Sequence, residues 1–446
     1  MASTPAIYRA AARVVSGLAP VLAHLSPKLA AGHRGRHGAA QRLLAWGSRS
    51  RDAARPLAWF HASSVGEGLQ AESVLHELRR RCPTAQYVYT HFSPSAVPLA
   101  RRLPVDIADY LPYDLAGPVE RLLGSLAPDL LVFSKLDLWP ELAVRAAARG
   151  ATVAVVAATV SPGSGRLRWP ARALLRAGYE AVGAAAAVSG EDAERLARLG
   201  VSPERIRVLG DPRYDSVVER IAGVGEDEPL LQFGRGAPTL VAGSTWPEDE
   251  AVLLGAFARV RATHPDARLV LVPHEPTERH LAGVERAAAR LGVSPPRLLS
   301  QAREPVPLLL VDRVGVLARL YGAGTMAYVG GGFGGAGLHS VLEPAAWGLP
   351  VCFGPRWKES RDAAALLQEG AALALIGRGQ AAGEELAGIW AGWIEREDER
   401  KAAGSRGKIL VERGLGASAR TAELLAELIS SRRPRTSPTG APPGQA

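Results

Sequence analysis

Five short stretches combine a turn with acids, cations or hydroxyls at spacings that suit chemistry. The first is His61-Ala-Ser-Ser-Val-Gly-Glu67, which follows an apolar run and opens an amphipathic one. Its small residues let the backbone turn tightly and approach a ligand. Glu67 falls at or near a helix N-terminus, where the dipole favours its ionised form. A carboxylate there either takes a proton from an attacking hydroxyl within hydrogen-bond reach or closes the helix end as a cap. The second stretch is Phe133-Ser-Lys-Leu-Asp-Leu-Trp-Pro-Glu. Lys135 and Asp137 are two apart and share one face of an extended segment. They either pair with each other, or one of them meets a substrate charge. Pro140 suits the first position of the next helix. The third is Gly210-Asp-Pro-Arg-Tyr-Asp, in which Arg213 either faces an anionic leaving group or sits in a turn nucleated by Asp-Pro.

The fourth stretch is Ala242-Gly-Ser-Thr-Trp-Pro-Glu-Asp-Glu. The hydroxyls of Ser244 and Thr245, with free helix amides, suit phosphate oxygens; they suit capping equally well. The fifth, Val329 to Pro344, holds six glycines in residues 330–337, followed by Leu338-His-Ser-Val-Leu-Glu343-Pro. Gly332, Gly334 and Gly337 match G-x-G-x-x-G between a strand and a helix. The acidic strand end expected about 20 residues later in a dinucleotide fold is replaced by Pro350-Val-Cys-Phe-Gly-Pro-Arg. This favours an anion site at a helix N-terminus, with Glu343 one turn in and suited to ribose hydroxyls. No Walker A motif, His-Glu-x-x-His or Gly-x-Ser-x-Gly occurs, and no metal site is expected.

These stretches need a scaffold, and the hydropathy pattern supplies one. Leu57–His61, Gln86–Thr90, Asp129–Phe133, Thr152–Ala158 and Ala184–Val188 read as buried strands. Helical periodicity falls between them at 67–80, 94–103, 115–126, 139–149 and 191–199. The rhythm stops over residues 224–238, which read as a linker. It restarts with strands at Thr239–Gly243, Arg268–Val272, Leu308–Val311, Met326–Gly330 and Pro350–Phe353. The helices of this half are expected at 247–263, 275–292, 315–322, 339–347, 358–368 and 380–396. The expected class is α/β, with two successive doubly wound parallel sheets covered by helices on both faces. Ligands of such sheets bind beyond the carboxyl ends of the strands, so a cleft between the halves is the expected site.

The chain has 446 residues, 47% apolar and 22% charged, which suits two to three folded domains. Two cysteines exclude a disulfide scaffold. The net charge of +9 comes mostly from arginine, since only five of the 53 basic residues are lysine. Either genome composition or an anionic partner accounts for it. With 6% aromatics and no recognisable module, nucleic acid is not the expected partner. Residues 5–31 are apolar yet carry Arg9, Arg13, His24 and Lys28, and Arg34, Arg36, His37 and Arg42 follow. No uninterrupted apolar run of 18 residues occurs, so a spanning helix is not expected. The segment either lies in a membrane interface or packs on the protein's own surface. The expected boundaries are 1–45 for this segment, 46–223 and 239–430 for the two domains, and 431–446 for a disordered tail rich in proline and arginine.

Taken in order, the motifs resemble the 3-deoxy-D-manno-octulosonic acid (Kdo) transferases. Further blocks join those above: Thr90-His-Phe-Ser-Pro-Ser, Tyr110-Leu-Pro-Tyr-Asp, Leu138-Trp-Pro and Phe353-Gly-Pro-Arg. The resemblance runs from about residue 7 to about residue 428. It implies a GT-B fold of two Rossmann-like domains and an enzyme at the cytoplasmic face of the bacterial inner membrane. It implies transfer of Kdo from CMP-Kdo to a lipid A precursor, with inversion of the anomeric centre and no obligatory metal or other cofactor. Glu67 takes the place of the general base. Arg213 stands where the family has lysine, facing the leaving phosphate. Glu343 matches the glutamate that holds the ribose, and Val314-Gly315-Val316 matches a stretch that contacts CMP. Ser340, Val341 and Leu342 fall beside that glutamate.

Some positions depart from the family pattern. Met-Glu-Thr-Glu-Leu-Trp-Pro becomes Ser134-Lys-Leu-Asp-Leu-Trp-Pro, which puts Lys135 and Asp137 in place of two glutamates. Pro-Arg-His-Pro becomes Pro273-His-Glu-Pro, so His274 and Glu275 stand near the expected donor. His-Asn becomes His339-Ser340, and Asn-Ala-Arg-Leu-Ser becomes Ala157-Ala-Thr-Val-Ser. A divergent branch of the family shares lysine at the Lys135 position. Alternatives compatible with the same residues are a transferase with another nucleotide-sugar donor, an epimerase of similar fold, and a membrane-surface protein that has lost its chemistry.

Overall fold

The computed structural model describes residues 3–431. The chain forms two compact units. The first takes residues up to Ser216 together with those from Gly416 onward, and the second runs Val217–Leu415.

The first unit opens with α1 (Ala6–Leu22), α2 (Pro27–Arg36) and α3 (Ala39–Ser50). Then follow β1 (Leu57–His61), α4 (Val65–Arg81), β2 (Gln86–His91), α5 (Val97–Arg102), β3 (Ile107–Tyr110) and α6 (Ala116–Leu126). Next come β4 (Leu130–Ser134), α7 (Pro140–Ala148), β5 (Thr152–Ala158), α8 (Ala171–Glu180), β6 (Ala184–Ala187), α9 (Gly190–Leu199), β7 (Ile206–Val208) and the start of α10 (Pro212–Ile221), which runs on into the second unit. The seven strands lie in the order β3-β2-β1-β4-β5-β6-β7, and every pair is parallel. Side chains alternate between the two faces of the sheet. Leu57 and Trp59 of β1 enter one core with Leu131 and Phe133 of β4. Ala58 and Phe60 enter the core on the other face with Leu130 and Val132. Burial on both faces is why these strands read as continuous apolar runs.

The second unit repeats the plan with β8 (Thr239–Thr245), α11 (Pro247–Thr263), β9 (Arg268–Pro273), α12 (Glu278–Arg290), β10 (Arg297–Leu298) and β11 (Leu308–Leu310). It continues through α13 (Leu317–Leu320), β12 (Met326–Val329), α14 (Leu342–Ala346), β13 (Val351–Phe353), α15 (Arg361–Gln368), β14 (Ala372–Ala374), α16 (Gly379–Glu395) and α17 (Glu397–Arg413). Its parallel sheet has the order β10-β11-β9-β8-β12-β13-β14. Strand order reverses between β1 and β4 in the first sheet and between β8 and β12 in the second. Both units are therefore doubly wound and Rossmann-like, as expected for GT-B, and each has one switch point where its carboxyl-end loops diverge.

Three sequence expectations about boundaries are corrected. Residues 224–238 are not a free linker: Leu230 and Phe233 are buried in the core of the second unit. A Cβ at Gly234 would lie 1.6 Å from the Ala323 carbonyl. The last helix, α18 (Ala417–Ser430), belongs to the first unit and not to the domain expected to run to residue 430. Ala422, Leu425 and Ile429 enter the core that holds Val74, Leu75 and Leu78 of α4, and Ser418 Oγ donates to Ser73 Oγ at 2.9 Å. The first unit also ends at Ser216 and not at residue 223. The tail expected over 431–446 lies outside the described residues from residue 432 on.

The N-terminal segment is largely unpartnered. Ile7, Val14, Val15, Leu18 and Val21 are exposed on α1. Among the described residues, Ala6–Leu25 is the helical stretch long and apolar enough to cross a membrane by length and composition, although it is interrupted by arginines at the level of uninterrupted apolar runs. Tyr8 ties α1 to the first unit by donating to Asp114 Oδ2 at 2.8 Å. The basic cluster after α1 is not all surface. Arg36 lies 3.4 Å over the Phe92 ring and donates to the Phe92 carbonyl, while Arg42 makes a forked pair with Asp109. Arg34 remains exposed.

Candidate functional site

Many of the candidate residues fall at the two switch points, whereas Arg213 follows the edge strand β7, His274 and Glu275 follow β9, and Val314–Val316 follow β11. In the first unit, the His61–Glu67 stretch follows β1 and the Lys135–Asp137 stretch follows β4, and these strands are neighbours. In the second, Ser244 is the penultimate residue of β8 and the glycine loop follows β12, again on neighbouring strands. Three non-glycine residues at carboxyl strand ends hold left-handed backbones: Lys135 (φ 61°), Ala157 (φ 52°) and Ser244 (φ 52°). Each costs on the order of 1–2 kcal/mol, and such outliers concentrate at functional edges of a fold.

Glu67 occupies the third residue of α4 and completes a reciprocal capping box with Ser64. Its Oε2 accepts from Ser64 N at 3.1 Å and from Ser64 Oγ at 3.0 Å. Its Oε1 has no hydrogen-bond partner among the described residues, and the residue is half-buried. The cap and base readings therefore coexist, because one oxygen fixes the carboxylate and the other is free. Helix position also matters here, since the α4 N-terminus stabilises the anion.

Lys135 and Asp137 do not pair with each other. Lys135 is exposed, and Asp137 turns inward to His61, whose Nε2 lies 3.0 Å from Asp137 Oδ2. Ser63 Oγ also donates to Asp137 Oδ2. Arg213 is turned onto Asp211, with its Nε and Nη2 at 2.8 and 2.7 Å from Oδ2.

The second unit sorts the glycines by role. Gly330, Gly331 and Gly332 are structural. A Cβ on them would lie 2.3 Å from the Ser244 carbonyl, 2.0 Å from the Gly337 carbonyl and 2.6 Å from the Gly354 amide, respectively. Gly334 has no neighbour nearer than 3.8 Å to an added Cβ, and Gly335 and Gly337 have none within 4 Å. These three line open space. Buried Asp249 anchors the loop: its Oδ2 accepts from the Gly331 and Trp246 amides, and its Oδ1 accepts from Tyr328. Burial holds the Asp249 carboxyl above its ordinary range despite these donors.

Beside the loop, three rings stack. Trp246 lies 5.0 Å from His274, and His274 lies 4.4 Å from His339, between ring centroids. Trp246 Nε1 donates to His339 Nε2 at 3.0 Å. An indole N–H can only donate, so His339 carries its proton on Nδ1 and is neutral. Burial, with His274 alongside, lowers its pKa to about 4. A neutral Nδ1–H and an exposed His274 edge can donate to a polar ligand.

Other donor-site expectations need correction. Thr245 is fully buried and its hydroxyl donates to Glu250, which is itself held by His280; only Ser244 is left to meet a phosphate. Val316, Val341 and Leu342 are buried in the core, so their backbones alone remain for contact, whereas Val314 is 76% exposed beside Gly315 (φ 84°). The helix after the glycine loop covers only Leu342–Ala346, shorter than the expected 339–347. Ser340 therefore precedes the helix, and a five-residue helix carries little dipole. Glu343 Oε1 already accepts from Arg220 Nη1 at 2.6 Å, while Glu275 is exposed. Sequence reasoning passed over His61, Trp139, Trp246 and Asp249. The signal for them was polar or amphipathic residues set directly beside the chemical stretches.

The comparisons agree with this architecture. The 3-deoxy-D-manno-octulosonic-acid transferase (Kdo transferase) family profile matches residues 35–216. A 3-deoxy-D-manno-octulosonic acid transferase of Chlamydophila psittaci is 29% identical over 330 residues, 72% of this chain and 74% of that one. That of Haemophilus influenzae is 25% identical over 301 residues, 66% and 70%. A Chlamydia trachomatis relative of the same name is 26% identical over 386 residues, 84% and 86%. Among solved structures, a putative UDP-N-acetylglucosamine 2-epimerase of Listeria monocytogenes superposes with a TM-score of 0.60 at 13% identity, over 85% of this chain and 96% of that one. A glycosyltransferase of Rickettsia africae gives 0.55 at 11% identity, over 85% and 100%. The structural likenesses concern the fold, whereas the sequence relatives, matched across most of the chain, are all 3-deoxy-D-manno-octulosonic acid transferases. The likeness to 3-deoxy-D-manno-octulosonic acid transferases runs over most of the chain, and it supports a glycosyltransferase.

Proposed function

We propose that this enzyme moves Kdo from CMP-Kdo to a lipid A precursor with inversion at the anomeric carbon. The observation that carries the reading is Glu67: one carboxylate oxygen is fixed in the capping box and the other is free at the α4 N-terminus. An acceptor hydroxyl is too weak an acid to ionise alone, so a placed carboxylate helps only as the transition state forms. As the hydroxyl oxygen bonds to the anomeric carbon, its proton passes to Glu67. The bond from that carbon to the phosphate oxygen breaks, and its electron pair leaves with CMP.

The second unit is assigned to the donor. Ser244, Gly334 and the neutral Nδ1–H of His339 meet CMP oxygens, with His274 and the exposed Val314–Gly315 turn alongside. Arg213 meets the leaving phosphate as a forked cation, exchanging Asp211 for the ligand, and Glu343 meets the ribose through the oxygen that Arg220 leaves free. In the first unit, Asp137 meets the acceptor sugar and Lys135 supplies positive charge. The reaction as proposed needs no metal or other cofactor. The exposed apolar face of α1, with Arg13 and Arg34, supports association with the anionic cytoplasmic face of the inner membrane.

The test supplies CMP-Kdo, generated in situ, and a lipid A precursor, and reads the lipid by mass spectrometry. The expected result is a gain of one or more Kdo masses. An unchanged lipid with CMP still bound would replace the proposed sugar or acceptor.

A further inference from the structure

The His61 ring is fully buried at the end of β1, and the roles of its two nitrogens can be read from their partners. Trp59 Nε1 donates to Thr90 Oγ1 at 2.9 Å. His61 Nδ1 lies 3.0 Å from the same Thr90 hydroxyl, and His61 Nε2 lies 3.0 Å from Asp137 Oδ2. An ionised carboxylate only accepts, so the shared proton sits on Nε2. Nδ1 then accepts from Thr90, whose oxygen accepts from Trp59. The indole of Trp139, 3.1 Å from His61 Nε2 and 3.4 Å from Asp137 Oδ2, is left with the carboxylate as its acceptor.

Every donor is thereby used, and three of them converge on one atom. His61 Nε2–H, Ser63 Oγ–H and Trp139 Nε1–H all point to Asp137 Oδ2. Asp137 Oδ1 has no hydrogen bond among the described residues, and the side chain is 23% exposed. The network joins β1, β2, the loop after β1 and the loop after β4. A tie between loops would need only one such bond. Three donors on one oxygen fix both the position and the rotation of the carboxylate.

We propose that His61 is a positioning residue for the transfer reaction: with Ser63 and Trp139 it locks Oδ2 of Asp137, so that Oδ1 meets the acceptor sugar in one orientation. The proposal rests on the reading that Asp137 contacts the acceptor. It assigns His61 no proton transfer of its own.

A double-mutant cycle on the full-length enzyme tests it, with initial rates at saturating CMP-Kdo and varied lipid acceptor, and again at saturating acceptor and varied CMP-Kdo. His61→Ala is expected to lower kcat by about tenfold to a hundredfold, the range for a hydrogen bond to a charged group, with little change in the KM for CMP-Kdo. In an Asp137→Asn background the same substitution is expected to cost less than about twofold, because the oxygen it serves has lost its charge. His61→Gln, which keeps an N–H near the Nε2 position, is expected to recover most of the rate. Equal losses from His61→Ala in both backgrounds would overturn the proposal, since a purely structural histidine gives additive effects. Should His61→Ala fail to fold, as read by its melting curve, Ser63→Ala takes its place in the cycle with a smaller expected loss and the same criterion. A normal rate in Asp137→Asn alone would overturn both this proposal and the role of Asp137, while product formation by the wild type would still stand for the transferase reading.

Discussion

At the scale of single residues, burial and hydrogen bonding decide which groups remain free for chemistry. Thr245 looks like a phosphate ligand in the sequence, but in the fold its hydroxyl serves Glu250, while the neighbouring Asp249 anchors the glycine loop. Glu67 divides its two oxygens between structure and solvent. Burial also sets an acid sensitivity. It lowers the pKa of His91 in the first unit and His339 in the second to about 4. On unfolding, each returns to the ordinary histidine value of about 6.5 and takes up a proton as pH falls between those values. Their contribution to stability is therefore complete above about pH 6.5 and is lost progressively toward pH 4. Asp114 acts in the opposite sense, because burial raises its pKa to about 6 and acidification through that window favours its folded, protonated form. Burial raises the Asp249 and Glu250 carboxyls in the same sense as Asp114, so the prediction concerns the difference: between pH 6.5 and pH 4, acidification lowers the melting temperature of the wild type relative to that of His91→Gln. Melting curves across that range check it; an identical fall in the variant would contradict it.

At the scale of elements, the carboxyl ends of β1 and β4 in the first unit, and separately those of β8 and β12 in the second, each bring together stretches that lie far apart in sequence. The central strands were legible because strands buried on both faces are continuous apolar runs bounded by turn residues; β1 and β5 begin and end at the expected residues. The short strands β3 and β10 lack such runs and were not seen; β14 lies in the apolar run Ala371–Ile376 between two glycines and was missed, as were α8, α17 and α18. The glycine loop was legible as a special backbone, but its division of labour was not, because that depends on which chain segment packs behind each residue. Gly331 has φ 91° and would place a Cβ 2.0 Å from the Gly337 carbonyl. Gly331→Ala is therefore expected to cost about 2 kcal/mol or more and to weaken CMP binding at least tenfold. Gly335→Ala, with open space around it, is expected to leave folding unchanged. Calorimetric CMP binding to both variants separates them; equal behaviour would contradict the assignment of Gly331 as structural.

At the scale of the whole molecule, the chain completes its first unit only with its last helix. The periodicity of 417–430 could not reveal this, because an apolar helix face does not name its partner. Leu424, Leu425 and Ile429 are buried, and at about 1.5–3 kcal/mol each their removal costs more than most domains can spare. Ending the chain at residue 415 is therefore expected to unfold or aggregate the first unit, although the cut lies in sequence after the second. Limited proteolysis of the truncated chain checks this, the expected result being rapid cleavage within residues 57–216. A protected first unit would show that α18 is dispensable.

All of the proposed chemistry turns on Glu67 as the base. The most direct measurement is turnover of Glu67→Gln with CMP-Kdo and a lipid A precursor, beside its CMP affinity. Glutamine keeps the size and an acceptor oxygen for the Ser64 cap but cannot take a proton. CMP binding is expected to be unchanged and kcat lower by about 10²-fold or more. Turnover close to that of the wild type would reduce Glu67 to a helix cap and contradict the account.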